Sequence, residues 1–111
     1  MYNIYLISAE SNGEILYKIG YTKREVSKRI KEFRTGNSAI FEIVDVFSSR
    51  WGTKIESSLH SHFNKFRVGG EWFSLDVYQL KEFRRICEIS HNNFELLEKY
   101  NTYVMEKGWP S

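Results

Sequence analysis

Apolar and polar residues alternate along three stretches of the chain, and this period of two predicts three β-strands. The stretches are residues 2–8, 14–21 and 40–48, and the last is rich in β-branched and aromatic side chains. Ser11, Asn12 and Gly13 form a turn signal between the first two stretches. We therefore expect the first two strands to form an antiparallel hairpin.

A helix is predicted directly after the second strand. Val26, Ile30 and Phe33 recur at the helical spacing and give this segment one buried stripe. Thr22 is expected to be its N-cap, with Glu25 completing a capping box.

Further helices are predicted after the third strand. One starts between residues 49 and 53 and runs to about Arg67, where two glycines at 69–70 follow. Asp76 is expected to cap another helix that runs to about Ile89, with Gln79 completing its capping box. A last helix is expected from about Asn93 to Lys107, ended by a glycine at position 108.

The predicted order is therefore β-β-α-β-α followed by two more helices. This order gives an α/β (α+β) fold, with a small three-stranded antiparallel sheet flanked by helices. We expect residues 1–75 to form the core and residues 76–111 to form a C-terminal helical extension of the same single domain. A chain of 111 residues is large enough for one modest core.

Cysteine content and hydropathy restrict the class of protein. With one cysteine, Cys87, the chain has no internal disulfide and no cysteine-based zinc site, which fits a reducing compartment. The start MYNIYLIS lacks the basic segment of a signal peptide, and no apolar stretch approaches the length of a membrane span. We expect a cytoplasmic protein with no membrane partner.

Positive charge is concentrated in the first third of the chain. The net charge is only +2, yet residues 18–34 hold seven cations against two acids. An apolar strand, a glycine and a basic helix in succession favour an anion-binding surface, although many basic surfaces are simply solvated. The cations expected to meet nucleic-acid phosphates are Lys23, Arg24, Lys28, Lys31 and Arg34.

Four short motifs in order resemble the GIY-YIG nuclease superfamily. They are NIYLI at 3–7, KIGYT at 18–22 followed by Arg29, the E-x-x-x-H-x-x-F pattern from Glu56 through His60 to Phe63, and GEWF at 70–73. The KIG form of the second motif and the last two motifs are similar to a phage and bacterial branch of that superfamily. Each motif alone is weak, but together they cover about residues 2–75 with the expected elements between them.

This resemblance implies a metal-dependent DNA endonuclease. Glu56 would bind Mg²⁺ or Mn²⁺, with Glu71 as a weaker second ligand, because one or two carboxylates are typical of such sites. The resemblance implies catalytic roles for four further residues, Tyr5, Lys18, Arg29 and His60. A guanidinium can hold two phosphate oxygens in one plane, which suits Arg29 to the phosphate.

Each of these residues has a plainer interpretation. Arg29 has Glu25 at i−4 spacing for a surface ion pair, and Glu56 lies three residues after Thr53, as in a capping box. Tyr5 is equally well explained as a sheet aromatic. His60, four residues after the glutamate on one helix face, would orient that carboxylate or contact phosphate.

The chain departs from the family pattern at three positions, one of which is Glu71, near the place where homing enzymes have an asparagine. Lys18 stands where the second tyrosine of the name-giving motif is expected, and a lysine there would bind phosphate or, with a depressed pKa, act as a base. Phe33 replaces a tyrosine or histidine of related nucleases and is predicted to be core. Gly20 is expected to allow close backbone approach or tight strand–helix packing. Trp72 and Phe73 are expected to fill the core.

Two other classes of function stay open. The departures favour a catalytically inactive module that binds nucleic acid or a phosphorylated ligand. The aromatic C-terminal helices favour a partner-binding regulatory protein of phage type, and the same helices would form the interface of a homodimer.

Overall fold

The computed structural model describes residues 1–34 and 38–108, with only the backbone of Arg34. This part of the chain forms five strands and three α-helices, with a short 3₁₀ turn at Asn64–Phe66. The strands are β1 (Tyr2–Ser11), β2 (Glu14–Thr22), β3 (Ile40–Ser49), β4 (Arg67–Gly69) and β5 (Trp72–Phe73). The helices are α1 (Val26–Arg34), α2 (Gly52–His62) and α3 (Val77–Lys107).

All neighbouring strands of the single sheet are antiparallel, in the order β3-β1-β2-β5-β4. Strand β1 lies between β3 and β2, and it pairs with β2 from Asn3↔Thr22 to Ser11↔Glu14. Its other edge pairs with β3. The hairpin predicted from the turn signal at 11–13 is therefore confirmed.

The prediction of a three-stranded sheet is wrong, because residues 67–73 form a further hairpin. Its strands β4 and β5 pair with each other, and β5 continues the sheet by pairing with Tyr17 and Lys18 of β2. Gly70 occupies the turn with φ of 54°, a conformation that favours glycine. Strands of three and two residues are too short to show a period of two, so the glycines there indicated only a break.

The prediction of two C-terminal helices is also wrong, because α3 continues unbroken through residues 90–93. Tertiary contacts hold this weakly helix-forming segment in place. The Ser49 Oγ lies 2.7 Å from His91 Nδ1, and the Trp51 ring packs against Phe94 at 5.8 Å between centroids. The Trp51 indole also donates to Glu95 Oε1 at 3.0 Å. Packing against the β3–α2 corner thus overrides local propensity.

Two of the three predicted helix signals are confirmed. Asp76 accepts from the backbone N–H groups of Tyr78 and Gln79, and the Gln79 side chain accepts from the Asp76 N–H, which completes the capping box. Gly108, with φ of 77°, ends α3.

The Thr22 cap is wrong, because this residue closes β2 instead. Its hydroxyl accepts from the Arg24 N–H at 3.1 Å and so forms a local turn ahead of α1. The predicted end of the second helix near Arg67 is also too late, since α2 ends at His62.

The sheet is covered on both faces, and β1 shows this most directly. Its Ile4 and Leu6 side chains belong to the cluster that includes α2 and α3, whereas Tyr5 and Ile7 pack with α1. All four side chains are buried, so the alternation along β1 separates two cores rather than a core from solvent. Within residues 1–34 and 38–108, no helix combines the length and hydropathy that crossing a bilayer requires.

Candidate active site

The candidate site lies where the short strand β5 begins, at the edge of β2. At this point the Ile19 N–H donates to the Glu71 carbonyl at 3.2 Å, and the Ile19 carbonyl accepts from His60 Nε2 at 2.9 Å. The backbone N–H and C=O of Ile19 are therefore bonded to the β4–β5 turn and to α2, respectively. This brings side chains from α2, β2 and the β4–β5 turn to one place.

Two carboxylates converge there. Ligand atoms of Glu56, His60 and Glu71 all lie within 4.8 Å of one another. The Glu56 Oε2 atom is buried and has no hydrogen-bond partner among the described residues. The pKa of Glu56 is raised to about 7, mainly by burial and also by the nearby Glu71 charge, while Lys18 opposes the rise.

These observations fit a bound divalent cation. A buried carboxylate oxygen without a partner is costly unless a cation or a donor meets it. Mg²⁺ and Mn²⁺ take oxygen ligands from one or two carboxylates, which is what Glu56 and Glu71 offer. The interpretation of Glu56 as part of a capping box is wrong, because Thr53 lies inside α2, whose N-cap Trp51 makes no side-chain cap hydrogen bond.

His60 is close to both carboxylates, but both of its ring nitrogens are already bonded. Nε2 donates to the Ile19 carbonyl, and Nδ1 accepts from the Arg67 guanidinium at 3.2 Å. The ring is therefore the neutral Nε2–H tautomer and offers no free lone pair to a metal. Arg67 also donates to the Gly70 carbonyl at 3.0 Å, so His60 links α2 to the turn that holds Glu71.

Lys18 is held among a carboxylate and two aromatic rings. Its Nζ lies 3.0 Å from Glu71 Oε2, and the side chain is only 14% exposed. The ammonium also lies 4.8 Å from the centroid of Phe33 and 5.3 Å from that of Trp72. Phe33 and Trp72 are half-buried against the α1-side cluster, so they pack in the core and also line the site. Phe73 is fully buried, which confirms it as core.

Tyr5 reaches the site because its partner across β1 and β2 is Gly20. A Cβ at Gly20 would lie 2.3 Å from the Tyr5 hydroxyl oxygen. The close approach made possible by this glycine is therefore to a phenol ring, rather than to backbone or a helix. Burial raises the pKa of Tyr5, and its hydrogen bond to Arg29 opposes that rise.

Arg29 connects the phenol to the basic helix. Its guanidinium hydrogen-bonds to the Tyr5 hydroxyl, contacts Glu32, and lies 4.7 Å from the centroid of Phe33. The predicted ion pair with Glu25 is wrong, since the carboxylate that Arg29 meets is Glu32. The hydrogen bonds to Glu32 and to Tyr5 raise the pKa of Arg29, and the bond to Glu32 is the larger cause.

The other predicted cations lie on or just before α1. Lys23, Arg24, Lys28 and Lys31 are exposed, and Lys23 stacks over the Tyr2 ring at 5.0 Å. The Arg34 side chain lies outside the described part of the structure. The structure thus brings Tyr5, Lys18, Arg29, Glu56, His60 and Glu71 into one cluster, with the remaining cations beside it.

Two residues that contact this cluster, Glu32 and Arg67, were not predicted from the sequence. Glu32 was detectable, because an acid three residues after Arg29 shares its helix face. Arg67 had no such signal, since it reaches His60 only through the β4–β5 hairpin.

Comparison with known proteins adds a family. The sequence profile of the T5orf172 domain matches residues 2–88. The putative KilA-N domain-containing protein 315L of Invertebrate iridescent virus 6 is 30% identical over 69 residues, 60% of this chain. The matched segment spans 30% of that relative's length. No solved structure gave a significant match.

Proposed function

Because the chain belongs to the T5orf172 domain family, a group of nuclease-related domains, we propose that it is a metal-dependent DNA endonuclease of GIY-YIG type. The observation that carries this proposal is the pair Glu56 and Glu71. Their carboxylates converge with one buried oxygen left without a partner, beside the cations Lys18 and Arg29. Hydrolysis of a phosphodiester needs a metal site and phosphate-binding cations in this kind of proximity.

Glu56 and Glu71 hold the divalent cation in this proposal. Bound Mg²⁺ or Mn²⁺ supplies charge neutralisation at the phosphate and at the leaving oxygen. His60 is a positioning residue, because its hydrogen bonds to Ile19 and Arg67 fix α2 against the β4–β5 turn. It thereby sets the distance between the two carboxylates.

Arg29 and Lys18 bind the substrate phosphate. Arg29 presents a planar guanidinium beside the phenol, and Lys18 brings an ammonium held between Phe33 and Trp72. Because the Lys18 Nζ already contacts Glu71 and two aromatic rings, we assign Lys18 to phosphate binding rather than to action as a base.

Tyr5 orients the attacking water. Burial holds its pKa above the ordinary value, so the phenol keeps its proton at neutral pH and acts as a hydrogen-bonding group. Its bond to Arg29 places that group next to the phosphate-binding guanidinium.

DNA contacts beyond the scissile phosphate come from α1 and the turn before it. The exposed cations there, Lys23, Arg24, Lys28 and Lys31, would bind backbone phosphates. Such binding is weakened by salt and largely independent of base sequence.

A binding module without cleavage is the second candidate. The ion pair between Lys18 and Glu71 favours it. Lys18 replaces a tyrosine of the family motif, and its ammonium pairs with Glu71, one of the two carboxylates proposed to bind the metal. A homodimer through the C-terminal helix stays a prediction. The late part of α3 does expose apolar side chains, among them Leu96, Tyr100, Tyr103 and Met105.

A plasmid-nicking assay tests the proposal. Supercoiled DNA is incubated with the protein and Mg²⁺, Mn²⁺ or EDTA, beside Glu56→Ala and Arg29→Ala. Glu88→Ala, an exposed carboxylate on α3, is the control. We expect metal-dependent nicking that both site variants abolish and the control retains. Binding without nicking in either metal, or nicking that survives Glu56→Ala, would remove the catalytic claim.

A further inference from the structure

The carboxylate of Glu32 lies between two guanidinium groups at the edge of the candidate site. Its Oε1 is 2.5 Å from Arg24 Nη2, and its Oε2 contacts Arg29 Nη1. Each oxygen thus meets its own arginine, as two oxygens of a phosphate would. Both arginines lower the pKa of Glu32, with Arg29 the larger cause, so this carboxylate is ionised at neutral pH.

Both arginines are also anchored by contacts that do not involve Glu32. The Arg24 carbonyl accepts from Asn3 Nδ2 at 3.0 Å, and the Asn3 Oδ1 accepts from Ser48 at 2.7 Å. These bonds tie the turn before α1 to β1 and β3. Arg29 is held by the Tyr5 hydroxyl and the Phe33 ring. The backbone of Arg24 and the side chain of Arg29 therefore keep their places when the carboxylate leaves.

Glu32 itself is easily released. Its side chain is 41% exposed, and those of Arg24 and Arg29 are 55% and 35% exposed. Ion pairs this accessible to water contribute little, because solvent screens them and the side chains lose entropy. A phosphodiester brings the same charge and more acceptor oxygens, so it can replace the carboxylate at small cost.

From this geometry we infer that Glu32 occupies a phosphate-binding site between Arg24 and Arg29, and that a backbone phosphate of DNA displaces it. The site lies beside the phosphate assigned to Arg29 and rests on the proposed function, since it assumes that DNA is the ligand. Glu32 then acts as an internal competitor that weakens DNA binding until a phosphate takes its place. Glu32 thereby limits how long α1 stays bound to DNA.

The affinity for a labelled DNA duplex, measured in EDTA so that no cleavage occurs, tests this inference. The variant is Glu32→Gln, which keeps the size of the side chain and removes its charge. Glu82→Gln is the control, because Glu82 also pairs with an arginine three residues away, Arg85, on a different helix. Both variants change the net charge equally.

We expect Glu32→Gln to bind about three- to tenfold more tightly at low salt, the range that two exposed ion pairs correspond to. Glu82→Gln should change affinity by less than about twofold, since added charge far from the contact is screened. In an Arg24→Ala background the gain from Glu32→Gln should shrink to the level of the control.

Equal effects of the two glutamine variants, or a full gain that persists without Arg24, would overturn the inference. Absence of DNA binding by all the proteins would overturn it as well. Failure of nicking in the plasmid assay would instead remove the catalytic proposal and leave this binding result standing. The two claims can therefore fail separately.

Discussion

The phenol of Tyr5 lies directly across Gly20, its partner in the β1–β2 ladder, so that a Cβ at Gly20 would be 2.5 Å from Tyr5 Cζ. The glycine of the KIG motif is thus required by a side chain from the neighbouring strand. Because of this contact, the absence of a side chain at Gly20 allows the hydroxyl of Tyr5 to reach Arg29.

Gly20→Ala should therefore displace the Tyr5 ring. We expect it to lower the free energy of unfolding by about 1–3 kcal/mol, as overpacking of a tight site does. Urea denaturation measures this loss. Gly69→Ala is the control, because no atom lies within 4 Å of the position of its Cβ. In a Tyr5→Ala background most of the penalty of Gly20→Ala should vanish, and an undiminished penalty would exclude the ring as its cause.

The long elements could be predicted because their signals are local. Strands of nine or ten residues show their period of two, and the Asp76 capping box is contained in four residues. The β4–β5 hairpin could not be predicted, since its short strands depend on pairing with the edge of β2. The unbroken α3 likewise depends on contacts from Ser49 and Trp51, which lie far away in sequence.

The sequence predicted which residues form the candidate site better than it predicted which of them contact each other. The motifs placed Tyr5 and Glu56 together, as the structure does. The partner of Arg29 was predicted wrongly because α1 begins one residue after Glu25. Glu25 meets Arg29 through its backbone carbonyl, which accepts from the Arg29 N–H at 3.3 Å, whereas the carboxylate of Glu32 meets the guanidinium.

The ionisation of Glu56 should make the metal-free protein less stable as pH rises. Its pKa is raised from 4.5 to about 7, so the folded state prefers the protonated carboxyl. That contribution is fully present below pH 4.5 and is lost as pH rises through about 7. After allowance for solvent screening, wild type should lose about 1–2 kcal/mol relative to Glu56→Gln across this window. Urea denaturation in EDTA at several pH values measures the difference, and parallel pH profiles would contradict it.

The two charged neighbours of Glu56 should move its titration in opposite directions. Glu71 raises the pKa of Glu56 and Lys18 lowers it. Glu71→Gln should therefore lower the titration midpoint of the Glu56 carboxyl below about 7, and Lys18→Met should raise it above that value. Carbon-detected NMR of the side-chain carboxyl follows this midpoint directly. Lys99→Met, an exposed lysine on α3, should leave it in place. Shifts of the same sign in both site variants would refute the electrostatic account.

His60→Ala should weaken metal binding as well as stability. Without the imidazole, the Ile19 carbonyl loses its donor and Arg67 loses its acceptor. We expect a loss of about 1–3 kcal/mol in unfolding free energy, the cost of unpaired buried groups. If His60 had only a structural role, His60→Ala would lose stability but would still bind Mn²⁺ as tightly as wild type.

A positioning role predicts in addition that Mn²⁺ binds less tightly, because the turn carrying Glu71 is released from α2. Isothermal titration calorimetry of the folded protein measures this affinity. His60→Gln, whose amide can still donate to Ile19, should recover part of the affinity and serves as the conservative variant. Unchanged Mn²⁺ affinity in folded His60→Ala would contradict the positioning role.

The contact between Ser49 and His91 should hold the middle of α3 in place. Ser49 is fully buried, and its hydroxyl accepts from the Trp51 N–H at 3.0 Å, so its own proton is directed to His91. His91→Ala leaves that donor unpaired and should cost about 1–3 kcal/mol. Asn92→Ala, one residue away and exposed, should cost nothing, since alanine favours helix more than asparagine does. Urea denaturation followed by far-ultraviolet circular dichroism compares the two, and equal stability would mean that the contact with Ser49 does not hold α3 together.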